Sequence, residues 1–260
     1  MTKELRNELI DTINYYEKIF QREKKEETLN NFRNKHLLDK PKTYTTVDYE
    51  YIIDLYEELL GIYYSDNDFV YINIPKVETN SFFNITNNAS SSIIYSCDCI
   101  ELNSIIPSIF YNLLKMGKMK ISIPGMGEIY KVLYEYYQVN KLLSVKILLN
   151  YFYGICGKSM LLKFTPSKSA LSYTFRYDTN ALFDYYNNII DYIKMIHKKV
   201  YYIDTDTIYV DKASDLLINL EKYGVKYFIT PNKKMLFIDK KKTIEYDGEW
   251  KIVNTTGIRH

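Results

Sequence analysis

The chain has 260 residues, 47% of them hydrophobic, with a formal net charge of only +2. That length supports a buried core in one large or two small domains, and the near-neutral balance excludes a globally basic nucleic-acid surface. No apolar run approaches the length of a membrane span and the N-terminus is charged, so neither a span nor a signal peptide is expected. Residues 2–37 are charged and helix-prone, with an apolar stripe at Leu5, Leu9, Ile13, Tyr16 and Phe20. A polar break around Pro41 follows. Val47 to Tyr64 then predicts a second amphipathic helix, and Phe69 to Ile74 a strand. Asn80 to Ser92 is rich in Asn and Ser and predicts a loop. A soft boundary falls there, giving a mainly helical N-terminal region of unknown role at 1–90 and a second region at 91–260.

Ile93 to Ile109 predicts a buried strand ending in acids, with a helix starting near Pro107, which suits a first helical turn. An acid at the end of a core strand, beside a helix N-terminus, is a place for a cation and phosphates to meet. Cys97 and Cys99 on that strand, and Cys156 further on, lack zinc-site spacing and read as reduced core thiols in an intracellular setting. A short helix from Pro107 to Met116, a turn at Ile123-Pro124-Gly125 and one long helix over Glu128 to Val145 come next. The long helix leads into Lys146-Ile147-Leu148-Leu149-Asn150-Tyr151-Phe152-Tyr153-Gly154. Lys146, Asn150 and Tyr153 recur at i, i+4 and i+7 and share a helix face. A Lys there can hold a triphosphate as a mobile point charge, and Tyr153 can offer a flat ring to a base or sugar. Lys131, on the long helix, is a second candidate for the triphosphate.

The most telling stretch is Tyr201 to Val210. Two apolar, β-prone runs flank Asp204-Thr205-Asp206, which predicts a hairpin with carboxylates at its tip. Such acids can present oxygens to a hard divalent cation of the kind that phosphoryl transfer needs. Beyond it, Ala213 to Tyr223 predicts a helix. Val225 to Thr230 and Met235 to Asp239 predict two strands around Pro231-Asn232-Lys233-Lys234. The 28 tyrosines follow the same A+T-rich bias as Asn, Ile and Lys and are not read as stacking platforms.

Three of these segments, in order, resemble family B DNA polymerases over about residues 93–258. Tyr202-Ile203-Asp204-Thr205-Asp206-Thr207 is similar to the third palm motif, Y-G-D-T-D-S. Lys146 to Gly154 is similar to the fingers motif, K-x3-N-S-x-Y-G, with Tyr151 at the Ser position. Ser104, Pro107 and Ser108 match the first palm motif, D-x-x-S-L-Y-P-S. The departures are specific. The family's catalytic Asp falls on Glu101, whose carboxylate reaches over about 1 Å further, a displacement that can cost on the order of 100-fold in rate. Asp98 is the alternative through a bulged strand, but it normally faces the other side, so Glu101 is favoured. The Tyr that acts in the family as a steric gate against a 2′-OH is here Ile106.

The resemblance implies an α+β fold: a palm-like antiparallel sheet with helices on one face, and reduced helical fingers at about 107–156. It implies a template-directed nucleotidyltransferase, a minimal DNA polymerase of viral or plasmid replication acting on primer–template DNA and dNTPs. Two Mg²⁺ ions, or Mn²⁺, would be held by Glu101 and Asp206, with Asp204 supporting them. Ser104, Ile106, Lys131, Asn150 and Tyr153 would meet the nucleotide, and backbone N–H groups from Leu102 to Ile105 its β and γ phosphates. Lys233 and Lys234 resemble the family's Lys-rich strand that grips the primer–template. Lys240, Lys241 and Lys242 could also hold phosphates. No exonuclease carboxylates and no thumb are expected, so another replication protein would supply a clamp. Two further expectations stay open. One is a catalytically impaired polymerase-like subunit that only binds nucleic acid. The other is a primase-like enzyme accepting rNTPs, which Ile106 permits. The expected compartment is the cytoplasm of a host cell, or a nucleus.

Overall fold

The computed structural model describes residues 1–34, 55, 58–59, 61–63, 69–75, 86–119, 121, 125–154, 160–166, 173–174, 179–213, 220–238 and 243–253. In chain order the elements are α1 (Lys3–Asn34), β1 (Phe69–Pro75), β2 (Thr86–Asn87), β3 (Ile94–Asn103), α2 (Ile105–Lys115), α3 (Met126–Asn140) and α4 (Leu143–Gly154). They continue with β4 (Met160–Pro166), β5 (Tyr173–Thr174), α5 (Thr179–Ile196), β6 (Val200–Asp204), β7 (Thr207–Val210), β8 (Lys226–Phe237), β9 (Thr243–Asp247) and β10 (Glu249–Val253). The chain divides into two compact units, one of residues 1–79, 120–177 and 260, the other of residues 80–119 and 178–259.

In the first unit, α1 follows its apolar stripe: Leu9, Ile13 and Phe20 are buried. It packs on α3, where the Tyr136 hydroxyl donates to Asn14 Oδ1 and Arg6 meets Glu135 at 2.8 Å. The N-terminal helix and residues 126–154 therefore share one unit. β1 pairs antiparallel with β4, and β4 with β5. The single helix expected over Glu128 to Val145 is two helices. Lys141 takes a left-handed conformation (φ 54°, ψ 29°) and its N–H caps the carbonyl of Tyr137 at 2.8 Å. Its ammonium lies 4.9 Å from the Tyr137 ring centroid, a cation–π contact that offsets part of the cost of that backbone. No Gly or Pro marks the break.

The second unit is built on a seven-stranded antiparallel sheet in the order β10-β9-β8-β3-β7-β6-β2. One face carries Cys97, Cys99, Tyr202, Tyr209, Met235 and Phe237, all buried in one cluster. Tyr202 on β6 stacks on Phe237 of β8, with centroids 5.3 Å apart and planes 16° apart. Two strands, β3 and β7, lie between them. The sheet therefore curls until this face closes on itself, and the small Cys97 and Cys99 at its centre leave room for the rings. Each buried aromatic contributes about 2 kcal/mol by burial. The opposite face carries Ile100, Leu102, Ile203, Ile208 and Val210, all at or near full burial. The α2 stripe of Ile106, Ile109, Phe110 and Leu113 and the α5 stripe of Leu182, Tyr186, Ile189, Ile190 and Ile193 are buried too, and the two helices pack together. Mixed α+β architecture with an antiparallel sheet is thus as expected.

Three local expectations change. β8 is one strand rather than two. Cys97 pairs with Lys233 but Cys99 with Thr230, so one extra residue is absorbed as a bulge at Pro231-Asn232. Asn232 takes φ 58° there, and the bulge accommodates a proline that has no N–H to give the ladder. α2 begins at Ile105, two residues earlier than expected, with Ser104 as its left-handed N-cap, and Pro107 lies in the first turn as its residue type suits. Part of the expected Asn80 to Ser92 loop is the short edge strand β2, paired with β6. The expected helix over Ala213 to Tyr223 is described only at its ends; residues 220–223 form a single tight turn.

Candidate active site

The hairpin forms as its residues dictate. β-branched and aromatic residues fill β6 and β7, and Asp204 pairs with Thr207 across a two-residue turn. Thr205 supplies the positive φ of that turn (50°). Two hydrogen bonds brace the tip. The Tyr186 hydroxyl of α5 donates to the carbonyl of Thr205 at 2.9 Å, and the Leu102 N–H of β3 donates to the carbonyl of Asp206 at 2.7 Å. Burial, then the charges of Asp204 and Asp206, push the Tyr186 phenol well above its usual range, so it stays protonated and able to donate.

The strand register brings the acids together. Glu101 pairs with Thr207 on one side and with Phe228 on the other, and Thr207 pairs with Asp204. Directly paired residues point to the same face, so Asp204, Thr207, Glu101 and Phe228 form one row across four strands. Strands about 4.8 Å apart put the Cα atoms of Glu101 and Asp204 about 10 Å apart. Asp206 sits at the turn beside this row, joined to β3 by the Leu102 bond. Glu101 and Asp206 are exposed, whereas Asp204 is 3% exposed. The Thr207 hydroxyl donates to Asp206 Oδ1 at 3.2 Å, and the Thr205 hydroxyl to Asp204 Oδ1 at 3.4 Å.

Asp98 belongs to the other face. It pairs with Val210, and its carboxylate accepts the N–H of Ala213 at 2.8 Å and the N–H of Asn232, in the β8 bulge, at 2.9 Å. It ties two chain segments together and is separated from Glu101 by the sheet itself.

The residues expected around the nucleotide divide between the units. Ser104 is half-buried and its hydroxyl donates to Asn103 Oδ1 at 3.2 Å. Ile106 is buried, 6% exposed, in the first turn of α2. Leu102 has no N–H to offer a phosphate, because Asp206 already accepts it. Lys131, Lys146, Asn150 and Tyr153 lie in the other unit. Lys131 on α3 is engaged by Glu128 one turn back. On α4, Lys146 is half-buried and Asn150 exposed, while the Tyr153 side chain lies outside the described residues.

Lys233 is not an open cation. Its ammonium bonds both carboxylate oxygens of Glu245 on β9, at 3.0 and 3.2 Å, with only 18% of its side chain exposed. Burial acts to lower its pKa, but the Glu245 bond and charge, with help from Glu101, shift it upward overall. Lys234 is exposed on the opposite face, 5.6 Å from the Tyr246 ring centroid. Lys240 to Lys242 lie outside the described residues. Tyr186, Glu245 and the tether role of Asp98 were not legible beforehand. Only the α5 stripe containing Tyr186 carried a signal, and that signal was for packing.

Among the described residues no group of three or more His, Cys, Asp or Glu side chains forms a cage for a metal ion. The donor chemistry nonetheless fits Mg²⁺, which keeps several waters and commonly takes one or two carboxylates plus substrate phosphates. Glu101 and Asp206 supply hard carboxylate oxygens of that kind. The sequence matches no protein-family model and no curated protein.

Proposed function

We propose that the chain is a template-directed nucleotidyltransferase of the family B DNA polymerase type, with Glu101 and Asp206 as its catalytic carboxylates. The observation that carries this reading is the Leu102 N–H to Asp206 carbonyl bond together with the Asp204–Thr207–Glu101 row. Two acidic segments far apart in sequence meet at one end of the neighbouring strands β3 and β7, and both exposed acids belong to it. Bound Mg²⁺ would lower the cost of negative charge on a primer 3′-oxygen, the α-phosphate and the leaving pyrophosphate. In this reading Glu101 and Asp206 hold the ions and Asp204, buried beneath the turn, keeps the tip in position. Tyr186 fixes the turn by its bond to Thr205. The reading rests on these acids alone; Lys146 on α4 carries no part of it.

The departures at Glu101, Ile106 and Tyr151 from the pattern that the sequence resembles favour one alternative, a polymerase-like subunit that binds nucleic acid without chemistry. Primer extension in Mg²⁺ or Mn²⁺, with dNTPs and rNTPs in parallel, separates the two and also reads sugar preference at Ile106. The expected result is incorporation by the intact chain, background levels for Asp206→Ala and Glu101→Gln, and preserved or higher activity for Glu101→Asp. Incorporation that survives Asp206→Ala refutes the assignment. No incorporation by the intact chain, with retained primer–template binding, selects the alternative.

A further inference from the structure

The row that carries the acids does not end at Glu101. Phe228 of β8 is its last member, paired directly with Glu101 and pointing to the same face. Directly paired Cα atoms lie about 5 Å apart, and a phenylalanine side chain extends about as far. Any group held at the Glu101 carboxylate therefore comes within reach of this ring.

Phe228 is 62% exposed. One exposed apolar side chain is ordinary on a protein surface. This one belongs to a larger opening beside the acids. β9 pairs with β8 only from Lys234 to Phe237, so the outer side of Lys226 to Thr230 meets no strand among the described residues. Pro231 and the bulge at Asn232 interrupt that open edge, which guards it against pairing with the strand of another chain. Lys226 stands two residues before Phe228, on the same face and paired with Asn103. It is exposed and makes no ion pair among the described residues. Acid, ring and ammonium thus lie side by side within one unit.

The three groups together select the occupant. An apolar protein surface would cover Phe228 at the cost of desolvating Glu101 and Lys226. The last nucleotide of a polynucleotide strand suits all three. Its hydroxyl oxygen meets an ion held by the acids, its base and sugar offer a flat face to the ring, and its phosphodiester offers one negative charge to one ammonium. A nucleoside triphosphate carries several negative charges, for which a single ammonium is a poor match.

We infer that Phe228 and Lys226 seat the 3′-terminal nucleotide of the primer, with the ring against its base and sugar and the ammonium on its phosphodiester. The inference rests on the reading of Glu101 and Asp206 as the carboxylates that hold the ions.

The full chain is assayed by primer extension and by anisotropy titration of a labelled primer–template across a salt series. Phe228→Ala should raise the KM for primer–template about tenfold and move the KM for dNTP less than about twofold. Phe228→Tyr keeps the ring and should behave as the intact chain. Both 226 and 228 are exposed, so urea midpoints should stay in place in every variant. Lys226→Ala should lower the slope of log affinity against log salt by about 1. A primer ending in an abasic sugar should cost the intact chain about as much affinity as Phe228→Ala does, and should cost that variant little more.

Phe228→Ala that handles primer–template as the intact chain does, or that raises the KM for dNTP instead, overturns the inference. So does a change from dimer to monomer in sedimentation with primer affinity unchanged, which would give the ring to a second copy of the chain. The acids are scored separately. If Asp206→Ala abolishes incorporation while Phe228→Ala leaves primer affinity unchanged, the polymerase reading stands and this inference falls. If the intact chain incorporates nothing, the polymerase reading falls and the anisotropy titration decides alone: affinity lost in Phe228→Ala supports the seat, and affinity unchanged overturns it.

Discussion

Asp98 separates a structural carboxylate from a catalytic one, because the two roles predict different losses. Asp98→Ala removes the acceptor of two backbone N–H groups, Ala213 at 2.8 Å in a part-buried setting and Asn232 at 2.9 Å in an exposed one. A hydrogen bond to a charged group is worth about 1.5–3 kcal/mol, so the part-buried bond contributes about 2 kcal/mol. The exposed one competes with water and contributes about 1 kcal/mol. The left-handed backbone of Asn232 also loses its tether, so the expected destabilisation is about 3 kcal/mol, in the upper range of single substitutions. Asp98→Asn keeps one carbonyl acceptor and should lose about half of that. Urea unfolding reads this as a lower midpoint at an unchanged slope. Incorporation per folded molecule should be unchanged in Asp98→Asn. A loss in Asp98→Ala under about 0.5 kcal/mol would refute the tether. Lost activity at unchanged stability in Asp98→Asn would move the proposed catalytic role from Glu101 to Asp98.

Lys233 and Lys234 should behave differently in nucleic-acid binding. Lys234→Ala is expected to lower the slope of log affinity against log salt by about 1, and Lys233→Ala to leave the slope alone while costing about 1–2 kcal/mol of fold stability; equal slope changes for both would contradict the Glu245 pairing. Alkaline pH should weaken the fold. Burial first, with neighbouring charges, pushes the Cys97 and Cys99 thiols from 9.0 up to about 12, and burial pushes the Tyr209 phenol up as well. Each group deprotonates more readily in the unfolded chain, so stability is full below about pH 8.5 and falls as pH rises toward the folded values. The unfolding midpoint, followed from neutral to strongly alkaline pH, should therefore drop, and thiol reagents should label both cysteines only as the chain opens. A midpoint flat across that range, or rapid native-state labelling, would show that the thiols are not sealed.

What the sequence revealed was mostly local. Alternation and turn chemistry were enough for the Asp204-Thr205-Asp206 hairpin, and helical spacing for the α1 stripe of Leu9, Ile13 and Phe20. Strand parity alone was enough to set Asp98 and Glu101 on opposite faces. The misses were long-range. The Pro231-Asn232 pair reads as a chain reversal until a bulge opposite Cys97 and Cys99, held by the distant Asp98, lets the strand continue. The helix break at Lys141 depends on a left-handed non-glycine residue beside a Tyr ring, with no breaker to announce it. Lys233 looked like an open charge because Glu245 lies on the next strand, reachable only through the register of β8 with β9.

The Glu at position 101 is the sharpest departure from the family pattern, and the row geometry changes how it weighs. Thr207 stands between Glu101 and Asp204, so their backbones are two strand spacings apart, about 10 Å. Across that gap an extra methylene shortens the distance to be bridged instead of overshooting. Asp206 lies nearer, since the Leu102 N–H holds its carbonyl at 2.7 Å, and both it and Glu101 face solvent. A metal pair built on Glu101 and Asp206 therefore does not need the added length, whereas one that enlists Asp204 does. In the proposed reaction Asp204 only supports the turn, and this is why Glu101→Asp should keep or raise incorporation. A collapse of activity in that variant, with Asp204→Asn equally inactive and both folded, would instead make Asp204 a direct ligand reached only by the longer side chain.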